Sequence, residues 1–287
     1  MDAYLIAAGM MVASGSIHAI VNAIVKGRGG AAAGGSGGHA IMAGRAATDG
    51  VSALLLLPAI AWVPWPSGAW NWLAVSAVVH VVYLYAMIRT YTVADFSAAY
   101  PVLRGTAPLV TAAVAIGVAG ERVGMSQVAG IVLIGGAMLM LGMARHLTRA
   151  ALGWAMLTGS MTAAYTVADA HGVRAAPSVA SYIVWDFVLI GALSVVMFTA
   201  IGGGAMLRAV RRQWRAGATA GALSIVTYGL ALIALSMGPT APLAALRETG
   251  MVTALLIGVF ALGEQLTVQR VAAVSAILMG AALILVG

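Results

Sequence analysis

A short pattern occurs twice in this chain, and the second copy lies 143 residues after the first. The matching residues are Leu103, Arg104, Thr106, Gly120 and Glu121 in the first copy and Leu246, Arg247, Thr249, Gly263 and Glu264 in the second. Both copies lie in strongly apolar sequence, so each places an arginine where a lipid-embedded helix is expected. A duplicated half with a duplicated buried charge is typical of membrane proteins built from two structural repeats.

The composition excludes a soluble globular protein. Only 8% of the 287 residues are charged and 62% are hydrophobic, whereas soluble domains carry about a quarter charged residues. Most of the outer surface must therefore face lipid. The absence of cysteine excludes disulfides, thiolate metal sites and a thiol nucleophile. The net charge of +7 does not indicate a nucleic-acid partner, because the basic residues are scattered through short connections.

Ten apolar segments are long enough to cross a bilayer core of about 30 Å. They span residues 3–25, 41–63, 70–89, 95–119, 124–144, 150–171, 178–201, 217–236, 240–262 and 266–286. The first is too long and lacks the basic start of a cleavable signal peptide. The fourth and ninth are the weakest, because Pro101, Pro108, Pro239 and Pro242 interrupt them. The sequence therefore predicts an all-α polytopic membrane protein, multi-pass in the cell inner membrane.

The repeat divides these segments into two halves, 1–145 and 146–287. Gly15-Ser16 and Gly159-Ser160 provide a weaker match between the first and sixth segments. Five helices per half is an odd number, so the second half enters the membrane from the opposite side. The prediction is two inverted five-helix repeats, an arrangement that places a binding site near the midplane between the halves.

The positive charges give an expected orientation. Ten lysines and arginines fall in odd-numbered connections, two fall in even-numbered ones, and Arg45, Arg104 and Arg247 lie inside helices. Because basic connections stay in the cytoplasm, the count places both termini outside.

Several short motifs carry a family resemblance. They are Ala86, Thr90 to Ala94, Pro108, Gly120-Glu121, Gln127 and Gly130 in the first half, and residues 263–267 with Gln269 in the second. With these motifs in this order, the chain resembles the EamA-like members of the drug/metabolite transporter superfamily. Within that group it looks most like the exporters of amino acids and related metabolites. The resemblance implies ten helices and secondary transport. It also implies that both termini are cytoplasmic, which contradicts the charge count.

Charges at the bilayer centre are costly and are candidate functional groups. Arg104 and Arg247 each offer a fork of donors that fits a carboxylate, and prolines precede both. The alternative is that each pairs with an internal acid, and Glu248 is adjacent to Arg247. Asp186 has no local cation and is the candidate for a proton-coupling acid. Arg45 and Asp49, one turn apart, are expected to neutralise each other.

Aromatic residues with polar tips are candidates for a cavity lining. They are His80, Tyr83, Tyr100, Tyr165, Trp185 and Tyr228. Placement at the membrane interface is the competing explanation for such residues. Polar stripes on the first helix (Ser14, His18, Asn22) and the sixth (Thr158, Thr162, Tyr165, Asp169) face inward, into a pathway or into interhelical hydrogen bonds. Glu121 and Glu264 end helices and are expected to be structural.

These observations predict a secondary transporter, not an enzyme, that exports small amphipathic metabolites, with amino acids as the first candidate substrate, by alternating access. Efflux of drugs or other organic solutes is the alternative. An intramembrane hydrolase using Ser36 in Gly34-Gly35-Ser36-Gly37-Gly38 is a third class, disfavoured because this motif lies in an Ala/Gly loop. No phosphate-binding loop or metal-ligand cluster is present, so no cofactor or metal is expected. The expected partners are the substrate and the lipid bilayer. A monomer is one option for the oligomeric state, which the sequence leaves open.

Overall fold

The computed structural model describes residues 2–29, 38–143, 147–262 and 267–287, and within them every regular element is helical. A 3-10 turn at Leu57–Ala61 follows the second helix. The eleven α-helices are α1 (Asp2–Gly29), α2 (Gly38–Leu56), α3 (Trp70–Val93), α4 (Phe96–Gly117), α5 (Met125–Met143), α6 (Arg149–Ala175), α7 (Val179–Arg212), α8 (Trp214–Met237), α9 (Thr240–Arg247), α10 (Gly250–Leu262) and α11 (Val268–Val286).

The structure confirms the predicted all-α membrane architecture. Eight segments of the described chain are long and apolar enough to cross a membrane, with α9 and the first part of α10 counted together as one. The other two long helices are α2 and α6, which carry the internal charges Arg45, Asp49 and Asp169. Each packs along two neighbours, α2 on α7 and α8, and α6 on α3 and α4. Their lower hydropathy is therefore matched by contact with protein instead of lipid.

The ends of α2 and α7 differ most from the sequence prediction. α2 ends at Leu56 because Pro58 opens the 3-10 turn that follows it. α7 runs on to Arg212, past its predicted end at residue 201, with a kink at Gly203, where φ is 57°. Glycine tolerates this positive φ without a steric penalty. Three residues of the basic cluster, Arg208, Arg211 and Arg212, therefore lie in the last part of α7, and the fourth, Arg215, lies at the start of α8.

The ninth predicted span is broken, whereas its counterpart is not. α9 ends at Arg247 and α10 begins at Gly250, with tight turns at the junction in which Glu248 N–H donates to the Ala245 carbonyl at 3.0 Å. α4 contains Pro101 and Pro108 yet continues to Gly117. Prolines alone therefore do not decide where the chain breaks.

The break lies where α1 crosses it in backbone contact. A methyl group added at Gly15 would overlap the Arg247 carbonyl, and one added at Gly250 would overlap the Gly15 backbone. The corresponding crossing in the first half joins Gly159 of α6 to α4, where an added Cβ would lie 2.5 Å from the Leu103 carbonyl. Small residues that allow such approach are the usual means of helix association in lipid.

Several helix contacts in the first half of the chain have a counterpart in the second half. α3 packs on α6 as α8 packs on α1, and α4 packs on α6 as α9 and α10 pack on α1. α2 and α7 pack on each other, and so do α5 and α11. If each helix is replaced by its counterpart in the other half, the same set of contacts results. The interior between the halves is therefore lined by helices from both.

Candidate functional site

A cavity of about 120 Å³ lies at the centre of the bundle. It receives side chains from both halves, on α1, α2, α3, α4, α6, α7, α8 and α9. The lining residues are His18, Arg45, Asp49, His80, Tyr83, Arg104, Tyr165, Asp186, Phe187, Ile190, Gly191, Ser224, Thr227, Tyr228 and Arg247. This volume corresponds to roughly four water molecules at about 30 Å³ each. In this conformation the cavity fits a small polar solute.

Two of the three arginines in the cavity wall are neutralised by acids. Arg45 Nε donates to Asp49 Oδ2 at 2.9 Å, which confirms the predicted pair, and Ser194 Oγ donates to the same oxygen at 2.9 Å. Arg104 Nε lies 2.8 Å from Glu248 Oε2, an ion pair that joins α4 to the break after α9. Removing one partner from such a buried pair would leave an uncompensated charge. Arg45 and Arg104 are therefore each committed to an acid of the bundle.

The third arginine, Arg247, forms no ion pair with any acid of the described chain. Its Nε donates to Ser14 Oγ at 3.2 Å, and Ser14 in turn donates to the Thr227 carbonyl at 2.6 Å. Its guanidinium lies over the Tyr228 ring, 5.3 Å from the centroid. One edge of the guanidinium is thus held by α1 and α8, while its side chain lines the cavity. The guanidinium of Arg247 can therefore bind a carboxylate through the N–H groups that Ser14 does not occupy.

Aromatic rings form one continuous wall of the cavity. His80 stacks on Tyr165 with centroids 4.0 Å apart, and Tyr83 meets Tyr165 edge-on at 5.4 Å. Tyr228 lies 6.3 Å from Tyr165 and 6.2 Å from Phe187, again edge-on. Such rings can contact the apolar part of a solute while their polar tips remain hydrogen-bonded.

The two aspartates near the cavity differ in their partners. Asp169 is fully buried and accepts hydrogen bonds from the hydroxyls of Tyr182, at 2.8 Å, and Tyr228. Asp186 lines the cavity, is 2% exposed, and has no hydrogen bond or ion pair with any described residue.

Seven of the nine predicted site residues line this cavity: His80, Tyr83, Arg104, Tyr165, Asp186, Tyr228 and Arg247. Tyr100 lies behind Arg104, whose guanidinium is 5.9 Å from its ring. Trp185 lies outside, in a cluster with Trp65 and Trp70 at centroid distances of 5.0 and 5.3 Å. Its ring packs in this cluster and is not among the residues that line the cavity.

Some residues of the site were not predicted, and one pairing was predicted differently. Glu248 pairs with Arg104 and not with its neighbour Arg247. His18 and Ser14 were placed only on an inward polar stripe of the first helix, and they respectively line the cavity and hold Arg247. Thr158, on the stripe of α6, donates or accepts a 3.0 Å bond with Thr90, so it joins helices as one alternative predicted. The helical spacing of these polar stripes is the sequence signal that could have identified these residues as part of the site.

Glu121, in the connection that follows α4, contacts the broken segment of the second half. Its carboxylate accepts hydrogen bonds from the N–H groups of Thr240, at 2.9 Å, and Ala241, at 3.3 Å, and so caps α9. Arg174 lies 3.4 Å from the same carboxylate. Burial raises the pKa of the Glu121 carboxyl, but the hydrogen bonds from Thr240 and Ala241 and the charge of Arg174 outweigh it, so its pKa lies below the usual value.

Known proteins share this architecture. Residues 149–286 match the model of the EamA-like transporter family. The second half of this chain therefore belongs to the EamA-like transporter family. A crystal structure that is 18% identical superposes with a TM-score of 0.67 over 98% of this chain and 96% of its own, which shows a common fold. A search of curated proteins finds no match.

Family membership makes the chain a multi-pass membrane transporter and not an enzyme. It confirms the resemblance drawn from the motifs and sets the hydrolase hypothesis aside. Ser36 of that hypothesis lies outside the described residues, as does Glu264, the counterpart of Glu121. The family match leaves the substrate, the direction of transport and the roles of the cavity residues to be proposed.

Proposed function

We propose that this member of the family is a secondary transporter that exports small amphipathic metabolites, specifically amino acids, across the cell inner membrane. The observation that carries this proposal is Arg247, a guanidinium without an acidic partner in the described chain, at a helix break in the cavity wall. Broken helices beside a polar cavity are a recurring way to bind charged solutes within a membrane. An amino acid supplies the carboxylate that this fork fits.

The other cavity residues have complementary roles in this proposal. His80, Tyr83, Tyr165 and Tyr228 contact the apolar part of the substrate. Tyr100 and Arg104 support the site from α4, and the predicted role of Trp185 is at most indirect, through the adjacent Asp186.

The same proposal assigns the mechanism of alternating access to two repeats, residues 1–145 and 146–287. Helices α3, α4, α8 and the ninth predicted span, α9 with α10, would rock against the rest of the bundle. The proposal is supported by the contacts that are reproduced when the two halves are exchanged, and by the ion pair between Arg104 and Glu248, which joins the halves beside the cavity.

Asp186 is proposed to couple transport to protons. It is buried in the membrane interior, lines the cavity and lacks a cation or hydrogen-bond donor in the described chain. An uncompensated carboxylate in such a place is costly, so taking up a proton would stabilise it. Asp186→Asn should therefore abolish the response of transport to an imposed pH gradient.

Efflux of drug-sized solutes is the second candidate, and it is favoured by the aromatic wall. The size of the cavity favours amino acids, because pockets for drug-sized ligands occupy about 300–1,000 Å³ and this one measures about 120 Å³. Direct transport measurements separate the two candidates.

The experiment is uptake of labelled amino acids and organic cations into proteoliposomes that contain the purified protein, at two imposed pH gradients. We expect amino acids to accumulate and Arg247→Met to weaken their apparent affinity by roughly tenfold or more, because a charged hydrogen bond is lost.

The matched control is Arg122→Met, which removes an exposed arginine outside the cavity and should leave amino-acid affinity unchanged. If cations accumulate and no amino acid moves or competes, the substrate class is wrong. Equal affinities of wild type and Arg247→Met would exclude Arg247 as the ligand for the carboxylate.

A further inference from the structure

We propose that the cavity recognises both charges of a zwitterion, with Arg247 binding its carboxylate and Asp186 its ammonium group. This inference rests on the proposed amino-acid transport and adds the requirement for an amino group. It requires Asp186 to be ionised while the solute is bound, so a coupling proton on Asp186 would be carried when the solute is absent.

The first step is the balance of charge around the cavity. Arg45 is neutralised by Asp49, and Arg104 by Glu248. Among the charged side chains that line the cavity in the described chain, this leaves Arg247 and Asp186 without an ionic partner. One is positive and the other negative. A solute that brings one charge of each sign would compensate both, whereas an anion or a cation would compensate only one.

The second step is the difference between the two aspartates. Asp169 is occupied by the hydroxyl groups of Tyr182 and Tyr228 and does not line the cavity. Asp186 is 2% exposed and has no donor in the described chain, yet it lines the cavity. Buried polar groups in folded proteins nearly always have a hydrogen-bond partner. The ammonium group of a bound solute supplies up to three N–H donors for this carboxylate.

The third step is that one aromatic residue links the two charges. Tyr228 lies under the Arg247 guanidinium at 5.3 Å, and its ring meets that of Phe187, the residue after Asp186, at 6.2 Å. Its hydroxyl is fixed by Asp169. The ring is thereby held among the groups that would contact the two ends of the solute, and its face can pack against the carbon skeleton between them.

The test uses ligands with one shared side chain and different charges: the amino acid, its amide, which is a cation, and its hydroxy-acid analogue, which is an anion. Their competition with labelled amino acid is measured in proteoliposomes of wild-type protein without a pH gradient. We expect the amide and the hydroxy acid each to compete roughly 10- to 100-fold more weakly than the amino acid, because each leaves one buried charge unpaired.

Two variants assign the two ends of the ligand. Asp186→Asn should remove the preference for the amino acid over the hydroxy acid, and Arg247→Met should remove the preference for the amino acid over the amide. Asp95→Asn is the matched control, because Asp95 is an exposed residue before α4 whose side chain makes no capping bond. It should retain both preferences.

The outcomes separate this inference from the proposed function. If wild-type protein transports the amino acid and the hydroxy acid equally well, the inference is overturned while amino-acid transport stands. If Asp186→Asn loses its response to a pH gradient but retains the wild-type preference for an amino group, Asp186 serves coupling alone and the inference is also overturned. If no amino acid moves at all, the proposed function itself fails. The ligand series on wild-type protein tests the inference even if a variant does not fold.

Discussion

Arg104 and Arg247 occupy equivalent positions in the two halves of the chain but have different partners. Arg104 lies within the continuous helix α4 and is paired with Glu248 at 2.8 Å. Arg247 ends α9 at a break, and Ser14 and Tyr228 hold it in the cavity wall without an acid from the described chain. One copy of the motif therefore joins the two halves, and the other presents its charge to the cavity.

The difference arises from single-residue changes in the second copy. Position 105 is glycine, and its counterpart at position 248 is the glutamate that neutralises Arg104. Position 107 is alanine, and its counterpart is Gly250, which admits the backbone of α1 at the break. A duplicated motif can thus maintain the architecture with one copy and leave the other free to bind a solute.

The largest expected effect is a difference in the free energy of unfolding between variants of the two arginines. Arg104→Met should lower the free energy of unfolding by about 3–5 kcal/mol, because it leaves Glu248 buried and unpaired. Arg247→Met should change it much less, because no acid is stranded. Thermal unfolding of the two variants in detergent measures the contrast.

The double variant Arg104→Met with Glu248→Met removes both charges and should recover most of the lost stability. If Arg104→Met and Arg247→Met lowered the free energy of unfolding by similar amounts, the two arginines would have equivalent structural roles. That result would contradict the proposed difference between them.

The next effect concerns the close contact of α1 with the break between α9 and α10. Gly15→Ala places a methyl group against the Arg247 carbonyl and should destabilise the protein by about 1–3 kcal/mol. Gly9→Ala on the same helix meets nothing within 4 Å and serves as the control, with a change within about 0.5 kcal/mol. If both variants unfold at the same temperature, the close approach of α1 to the break is not required for stability.

A smaller effect should distinguish Ser14 from its counterpart Thr158. Ser14→Ala removes a hydrogen bond to Arg247 and should weaken the apparent affinity for amino acids by roughly 5- to 10-fold. Thr158 bonds Thr90 on α3 and not an arginine, so Thr158→Ala should affect stability alone. Concentration-dependent uptake combined with thermal unfolding gives both readouts. Equal losses of affinity would mean that Ser14 has no special role in orienting Arg247.

The smallest effect is expected at Glu121, a first-half residue that stabilises the broken second-half segment. Glu121→Gln removes its charge from the cap of α9 and from Arg174, and should cost about 0.5–1 kcal/mol at neutral pH.

The low pKa of Glu121 fixes the sign of the pH dependence. Its stabilising contribution is present above the ordinary pKa of glutamate and is lost as the pH falls through the lowered value. The stability difference between wild type and Glu121→Gln should therefore shrink below that pH. A difference that stays constant with pH would mean that the carboxylate charge does not contribute.

The sequence by itself determined the membrane class and most of the helices. Hydropathy and length identify helices because lipid leaves the backbone no partner except its own chain. Seven of the fifteen residues of the cavity wall also followed from sequence, because an internal charge such as Asp186 or an aromatic face such as His80 and Tyr83 is costly in lipid and must face protein.

Only the tertiary structure decided which charges are paired and which are free. The neighbour of Arg247 in sequence, Glu248, pairs across the halves with Arg104, while Asp169 is saturated by tyrosines and Asp186 is not. Ion pairs and hydrogen bonds form over about 3 Å in space, and such distances between helices depend on their crossing positions. Those crossings are set by close contacts such as Gly15 with Gly250, which a local sequence pattern does not specify.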